Sequence, residues 1–354
     1  MAKHSIQYWL RVTMISIMAI LLLMGTKAVA LPFVVSFVLT LILLPLVNIM
    51  QDTLQKRFGL TWLPRSIAIL PAFLLVALLL YLATILVLTP FLTEFTRLVA
   101  NFPSIMSQVY GLTKLIPTGP GETGLPPQIE AVVGMAITRI GNYGVELAHQ
   151  GITAVFSFAG MLLELLLVPI ITFYLLKDGR QLKRSIINVF PEPTTKHLYD
   201  AFNQIHQTVG GYLRGQLVLA TNMFVIILIV AFAYDLPYPF VLALLAFIAE
   251  WMPIIGPFIS AGPAIILAAL IGGTLAVKVA ITYFIILMID SQIIMPKVMG
   301  HIIKLHPVVI ISVIFIGGSL YGVIGMMTAV PVTAIIQIIM EKLWYFNKFY
   351  KEEQ

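Results

Sequence analysis

A chain of 354 residues that is 60% hydrophobic and only 10% charged holds more apolar side chain than a soluble core of that size buries. With a mean hydropathy of +1.01, most of that surface must face lipid, so the composition excludes a soluble domain and predicts an all-α, polytopic membrane protein. The net charge of +6 does not mark a nucleic-acid binder, since the basic residues stand in loops between apolar runs and read as topology determinants. The absence of cysteine removes disulfides and thiolate chemistry.

The first apolar run looks like a secretory leader, with Lys3 and Arg11 before it and Ala28-Val29-Ala30 in the place of a cleavage site. Lys27 and the run that follows at once favour two uncleaved spans instead, Val12 to Thr26 and Ala28 to Met50. At about 20 residues per crossing, the third span runs from Ser66 to Pro90, the fourth from Gly151 to Leu176 and the fifth from Gln216 to Tyr234. The sixth, Tyr238 to Ile271, is too long for one plain helix and is interrupted at Met252-Pro253-Ile254-Ile255-Gly256-Pro257. The first reading is one span broken near its middle; a re-entrant hairpin is the alternative. A seventh runs from Leu275 to Met295, and an eighth ends before Lys342. Gly317, Gly318, Gly322, Gly325 and Pro331 are where Val308 to Met340 would split into a second hairpin. Gly318 and Gly322 form a GxxxG spacing that suits a helix interface or a hairpin tip equally.

Two polar pieces interrupt this series. From Phe91 to Gln150 the chain is amphipathic, with Phe91, Phe95, Leu98, Val99 and Phe102 at helical spacing, a Pro- and Gly-rich loop from Ile116 to Pro127, and a helical pattern from Ile129 to His149. A cap over the outer span ends is the expected role. From Lys177 to Arg214 a basic run containing Pro191 and Pro193 predicts a helix pair at the membrane surface. The basic clusters at Lys3 and Arg11, at Lys56, Arg57 and Arg65, from Lys177 to Lys196, and at Lys342, Lys348 and Lys351 all belong on the cytoplasmic side, with both termini inside. Lys297 and Lys304 dissent: a single broken sixth span puts their loop outside, a hairpin puts it inside. The organisation expected is therefore three spans in 1–90, an extracytoplasmic segment in 91–150, a fourth span in 151–176, a cytoplasmic basic segment in 177–215, a broken-helix core in 216–341 and a tail in 342–354.

Ionisable residues inside apolar runs point to the chemistry, because an unpaired charge there costs a few kcal/mol and faces a partner or a cavity. Glu250 adjoins the break, where Pro253 and Pro257 remove backbone donors and Gly256 lets the chain turn, leaving carbonyls and amides for a polar solute. Its plain alternative is an interfacial residue beside Trp251. Asp290, with Ser291 and Gln292, makes a polar patch before Pro296, or equally a helix end near the headgroups. Glu164 lies mid-run as a proton site or as a partner for Lys278. His301 and His306 lack an i, i+4 placement and a carboxylate to complete a metal site, so His306 orders its loop or relays a proton. No cofactor is implied, and no GxSxG, HExxH or Gly-Lys-Ser/Thr phosphate loop supports an enzyme.

The runs FYLLKDG (Phe173 to Gly179), GYLRGQ (Gly211 to Gln216), MPIIGP (Met252 to Pro257), PKVMG (Pro296 to Gly300), LHP (Leu305 to Pro307) and GMMTAVPV (Gly325 to Val332), in this order over nearly the whole chain, resemble the autoinducer-2 exporter superfamily of bacterial permeases. The resemblance implies about eight spans, a large outer segment after the third, a bacterial cell-membrane location and a homo-oligomer, with a pentamer as one form. It implies secondary transport of a small polar solute such as autoinducer-2; the LHP run is similar to members associated with sodium or lithium/proton antiport. A non-transporting membrane scaffold that uses the outer segment for partners is the alternative from another class.

Overall fold

Long runs of Leu, Ile, Val and Ala satisfy their backbone groups in lipid only as helices, and helices dominate the chain. The computed structural model describes residues 27–57, 64–113, 117–119, 122–123, 162–189, 194–252, 255–300 and 305–352, with isolated positions between 132 and 146. The first predicted span, most of Ile129 to His149, and Pro191 and Pro193 lie outside the described residues.

Helix α1 is Lys27–Arg57 and α2 is Arg65–Ala83. A π-helical turn at Thr84–Leu88 carries α2 into α3, Thr89–Thr113, so the predicted third span and the amphipathic segment after it share one helical run. In the Pro- and Gly-rich loop, β1 (Pro117–Gly119) pairs antiparallel with β2 (Glu122–Thr123). Then come α4 (Leu162–Ile187), α5 (Thr194–Ala233), α6 (Pro239–Ala249), α7 (Gly256–Ile271) and α8 (Gly273–Ile289). A second π turn, Asp290–Ile294, leads to α9 (Met295–Met299), and α10 covers Pro307–Glu352. Among the described residues five stretches are long and apolar enough to cross a bilayer: Pro32–Lys56, Arg65–Gly111, Leu198–Ala233, Gly273–Met299 and Gly322–Glu341. The basic segment does form a pair of helices, but they are the ends of α4 and α5 rather than separate surface helices. No proline interrupts Lys177 to Ile187 or Thr194 to Ala233, so the helical ladder runs on past the apolar stretch.

The described residues divide into two compact units, one within 1–79, 161–215 and 301–354, the other within 80–160 and 216–300. In the first, α1 packs on α4, and Leu43 and Val47 of α1, Ala68, Ile69 and Ala72 of α2 and Leu176 of α4 form one buried cluster. The buried Ser36 hydroxyl lies 2.6 Å from the Pro32 carbonyl and 3.1 Å from that of Val168, so a polar stitch joins the two helices where water is excluded. Arg65 Nε donates to the Leu176 carbonyl at 2.7 Å, while its Nη atoms reach Gln51 and Asn48.

Arg214, in the GYLRGQ run, has a specific task. Pro45 interrupts α1 and has no N–H to offer the carbonyl four residues back, at Leu41. Arg214 Nη1 donates to that carbonyl at 2.8 Å. Arg214→Ala should therefore lower stability by about 1–3 kcal/mol, the cost of a buried acceptor left unmade. Pro45→Ala supplies the missing amide, so the double variant Pro45→Ala/Arg214→Ala should recover most of that loss. Unfolding midpoints of the four proteins in detergent check this; strictly additive effects would refute the pairing.

The second unit is centred on Met223, Ile227, Leu242, Ala246, Leu267 and Tyr283, with Ile105 and Leu98 of α3 packed against them. This is how the amphipathic face of α3 is covered.

Tyr238 to Ile271 is a hairpin and not the single broken span that was the first expectation. Helix α6 has 11 residues and α7 has 16, about 16 and 24 Å at 1.5 Å per residue, both short of the ~30 Å hydrocarbon core. The two pack against each other. The reversal is tight: a Cβ on Gly256 would run into the backbone carbonyl of Ala249, so only glycine lets α7 start there.

A second reversal lies inside α10. Gly322 has φ +60°, the left-handed region, and separates the arms Val308–Leu320 and Gly322–Glu341. In a straight helix residues 317 and 325 would stand about 12 Å apart; here a Cβ on Gly317 would strike the Gly325 carbonyl, and one on Gly318 would lie 2.6 Å from Met326 Cε. The glycine spacing thus serves a hairpin, with Gly322 at its tip and Gly317 and Gly318 at the close approach of its arms. The eighth span is accordingly the second arm of a folded-back helix.

Candidate functional site

The turn from Glu250 to Ile255 joins the C-terminus of α6 to the N-terminus of α7, so the carbonyl end of one helix and the amide end of another meet at one point. Successive helical turns continue into it: Trp251 N bonds Ile248 O at 3.2 Å, Met252 N bonds Ala249 O at 2.9 Å, and Gly256 N bonds Met252 O at 2.8 Å. Pro257 sits in the first turn of α7, where its missing N–H costs nothing, and its carbonyl accepts from Ser260 Oγ at 3.0 Å. Pro253 lies outside the described residues.

Glu250 is half-buried at this turn. Asp290, 8% exposed, starts the second π turn. Both acids belong to the second unit and both are withdrawn from solvent, Glu250 in part and Asp290 almost wholly. Asp290 Oδ1 is buried without a hydrogen-bond partner. Asp290 is thus the first residue of a single π turn inside a helical run, a feature frequent at functional sites. Gln216 contacts the α6–α7 turn directly. Its Nε2 donates to the Glu250 main-chain carbonyl at 2.6 Å, fixing the turn from α5. Sequence reading takes Gln216 only as the first residue of the fifth span; its signal is the place it holds at the end of GYLRGQ.

The other candidates fall elsewhere. Gln292 belongs to the same π turn but is exposed, as is Ser291, so the expected Asp-Ser-Gln patch does not face one way. Glu164 lies in the first turn of α4, its side chain outside the described residues. His306 precedes α10 and organises its start: Nδ1 accepts from Val308 N at 3.3 Å, and its carbonyl accepts from Val309 and Ile310 N. Gly317, Gly318, Gly322 and Gly325 shape the α10 hairpin of the first unit, whereas Glu250, Gly256, Pro257, Asp290 and Gln216 belong to the second.

A half-buried carboxyl at a helix turn among apolar helices, with a second buried acid in the same unit, suits binding and release of a proton, a small cation or a polar solute, rather than bond-breaking chemistry. Comparison with known proteins places the chain among transport proteins. The pattern of the AI-2E family transporter matches residues 12–344. Over 351 residues the chain is 26% identical to the Bacillus subtilis protein named "Putative transport protein YueF", covering 95% of this chain and 93% of that one. It is 34% identical over 173 residues to YrrI of the same bacterium, about half of each chain (49%). A protein of Halobacillus andaensis named sodium-lithium/proton antiporter is 25% identical over 305 residues, 84% of this chain and 85% of its own length. The chain belongs to the AI-2E family of membrane transporters.

Proposed function

We propose that this chain is a secondary transporter that exchanges protons for a small polar solute or monovalent cation, with the turn of the α6–α7 hairpin as its coupling site. The observation that carries the reading is the Glu250 carboxyl at that turn, half-buried among apolar helices, with the buried Asp290 Oδ1 of the same unit left without a hydrogen-bond partner. A carboxylate withdrawn from water is stabilised by either a proton or a small cation. Binding of one therefore competes with binding of the other, which is what an exchanger requires.

Loop charge supports hairpins that enter and leave on one side of the membrane. With α6–α7 returning to the side it came from, the loop bearing Lys297 and Lys304 becomes cytoplasmic, and the dissent noted in the sequence disappears. The α10 hairpin must then also return, because the tail with Lys342, Lys348 and Lys351 is basic too. Six crossings and two hairpins put every basic cluster and both termini inside, on the cytoplasmic face of a bacterial cell membrane. Irregular backbone at membrane depth is tolerated where it packs against protein or lines a water-filled cavity, and the latter is the use proposed for the α6–α7 turn.

For the cargo, the Halobacillus antiporter favours sodium or lithium, while the family match favours export of a signalling molecule of the autoinducer-2 type. Proteoliposomes with an imposed pH gradient and an internal pH dye separate the two. Collapse of the gradient on adding sodium or lithium supports antiport, a response to autoinducer-2 alone supports export, and no response to any solute overturns the proposal.

A further inference from the structure

The base of the α6–α7 hairpin has no cap of its own. Tyr238, the residue before α6, has φ 62° and makes no side-chain bond to the first amides, and Pro239 has none to offer. The first amides of the helix instead donate to a carboxylate from 146 residues away: Phe240 N and Val241 N lie 2.8 and 3.2 Å from Glu94 Oε2 of α3. Two turns further along α3, Asn101 Nδ2 donates to the Tyr238 hydroxyl at 3.1 Å. Between and beyond these ties Leu98, Ile105 and Met106 pack into the core that α6 and α7 share. Helix α3 thus grips the hairpin where it begins, with an anionic group on the positive end of a helix dipole.

We propose that Glu94 is a positioning residue for transport: by capping α6 from α3 it fixes how that arm stands, and so where Glu250, at the other end of the arm, is held. Helix α6 is a stiff rod of three turns, and a rod released at its base moves at its tip. Glu94 touches no cargo in this scheme. Only the effect on flux rests on the exchanger reading; the mechanical link is testable without it.

Amide hydrogen exchange on the full chain in lipid nanodiscs, for the native protein, Glu94→Gln and Glu94→Ala, decides the matter. In Glu94→Ala the Phe240 and Val241 amides should exchange about tenfold faster or more, the factor expected when a charge-assisted bond is lost. The turn from Glu250 to Ile255 should speed up with them. Glu94→Gln should fall between, because its amide oxygen still accepts but carries no charge. In sodium- or lithium-loaded proteoliposomes, Glu94→Ala should lower the maximal rate severalfold while leaving the half-saturating cation concentration unchanged. Faster exchange confined to Phe240 and Val241 would overturn the proposal, since the cap would then be local. So would a uniform rise across the chain with a lower melting temperature, the mark of a purely structural role. If no cation moves in the native chain, the exchanger reading falls and the exchange pattern still settles the role of Glu94.

Discussion

Glu250→Gln should leave the protein folded and reduce proton-coupled flux to the level of empty liposomes. The substitution keeps the size and most of the hydrogen-bonding capacity of the side chain and removes only its proton and its charge. The tie that holds the turn is unaffected, because Gln216 bonds the main-chain carbonyl of residue 250 and not its carboxyl. Expression and thermal unfolding should therefore stay within about 0.5 kcal/mol of native, the usual range for a change that breaks no packing. Asp290→Asn should also lower flux, since it removes the second carboxyl that this unit withdraws from solvent. A Glu250→Gln protein that still collapses a pH gradient at half the native rate would sink the assignment of this turn.

Gly256→Ala is expected to damage the fold itself. The added methyl would meet the Ala249 carbonyl, and the obstacle is backbone, which cannot swing aside as a side chain can. Overpacking ordinarily costs about 1–3 kcal/mol, and this site should reach the top of that range, with the turn displaced and flux lost. Gly262→Ala, six residues further along α7, is the control. A Cβ there meets nothing within 4 Å, so the substitution should stabilise by about 0.4–1 kcal/mol through the unfolded chain. Melting curves of the two variants in the same detergent should move in opposite directions; equal shifts would mean that the hairpin does not reverse where described.

The sequence made the class of protein legible because lipid imposes one requirement, internal satisfaction of the backbone, and apolar runs of span length announce it. It also located both points of reversal, at Met252 to Pro257 and at Gly317 to Gly325, since Pro and Gly in an apolar run have few other uses. What it left open was the direction the chain takes after a break. A kink and a reversal use the same residues; the choice depends on whether the next segment packs back on the last, which for Gly256 and Ala249 is decided by a contact seven residues apart in sequence. That Glu250 and Asp290 fall in one unit was illegible for a similar reason. Each acid has a plain local alternative, and only the packing of α6 on α7 and of α7 on α8 puts them in the same unit. Gln216 and Glu94 escaped notice because both act on main-chain groups, and a main-chain partner leaves no mark in the composition of the segment that supplies it.

The π turn at Asp290–Ile294 has a further consequence for how this protein tolerates change in length. Such a turn is an α-helix with one residue inserted. Five residues in such a turn cover about the same rotation and rise as four in an α-helix, so deleting a single residue from Ser291 to Ile294 would let the ladder close as ordinary α-helix while Met295–Met299 kept nearly the same face toward their surroundings. A deletion in the regular helix of α8 would instead rotate everything after it by about 100°. Length is therefore tolerated at this point and not on either side of it: a relative one residue shorter here can present the same side of its PKVMG run, having lost only the turn itself.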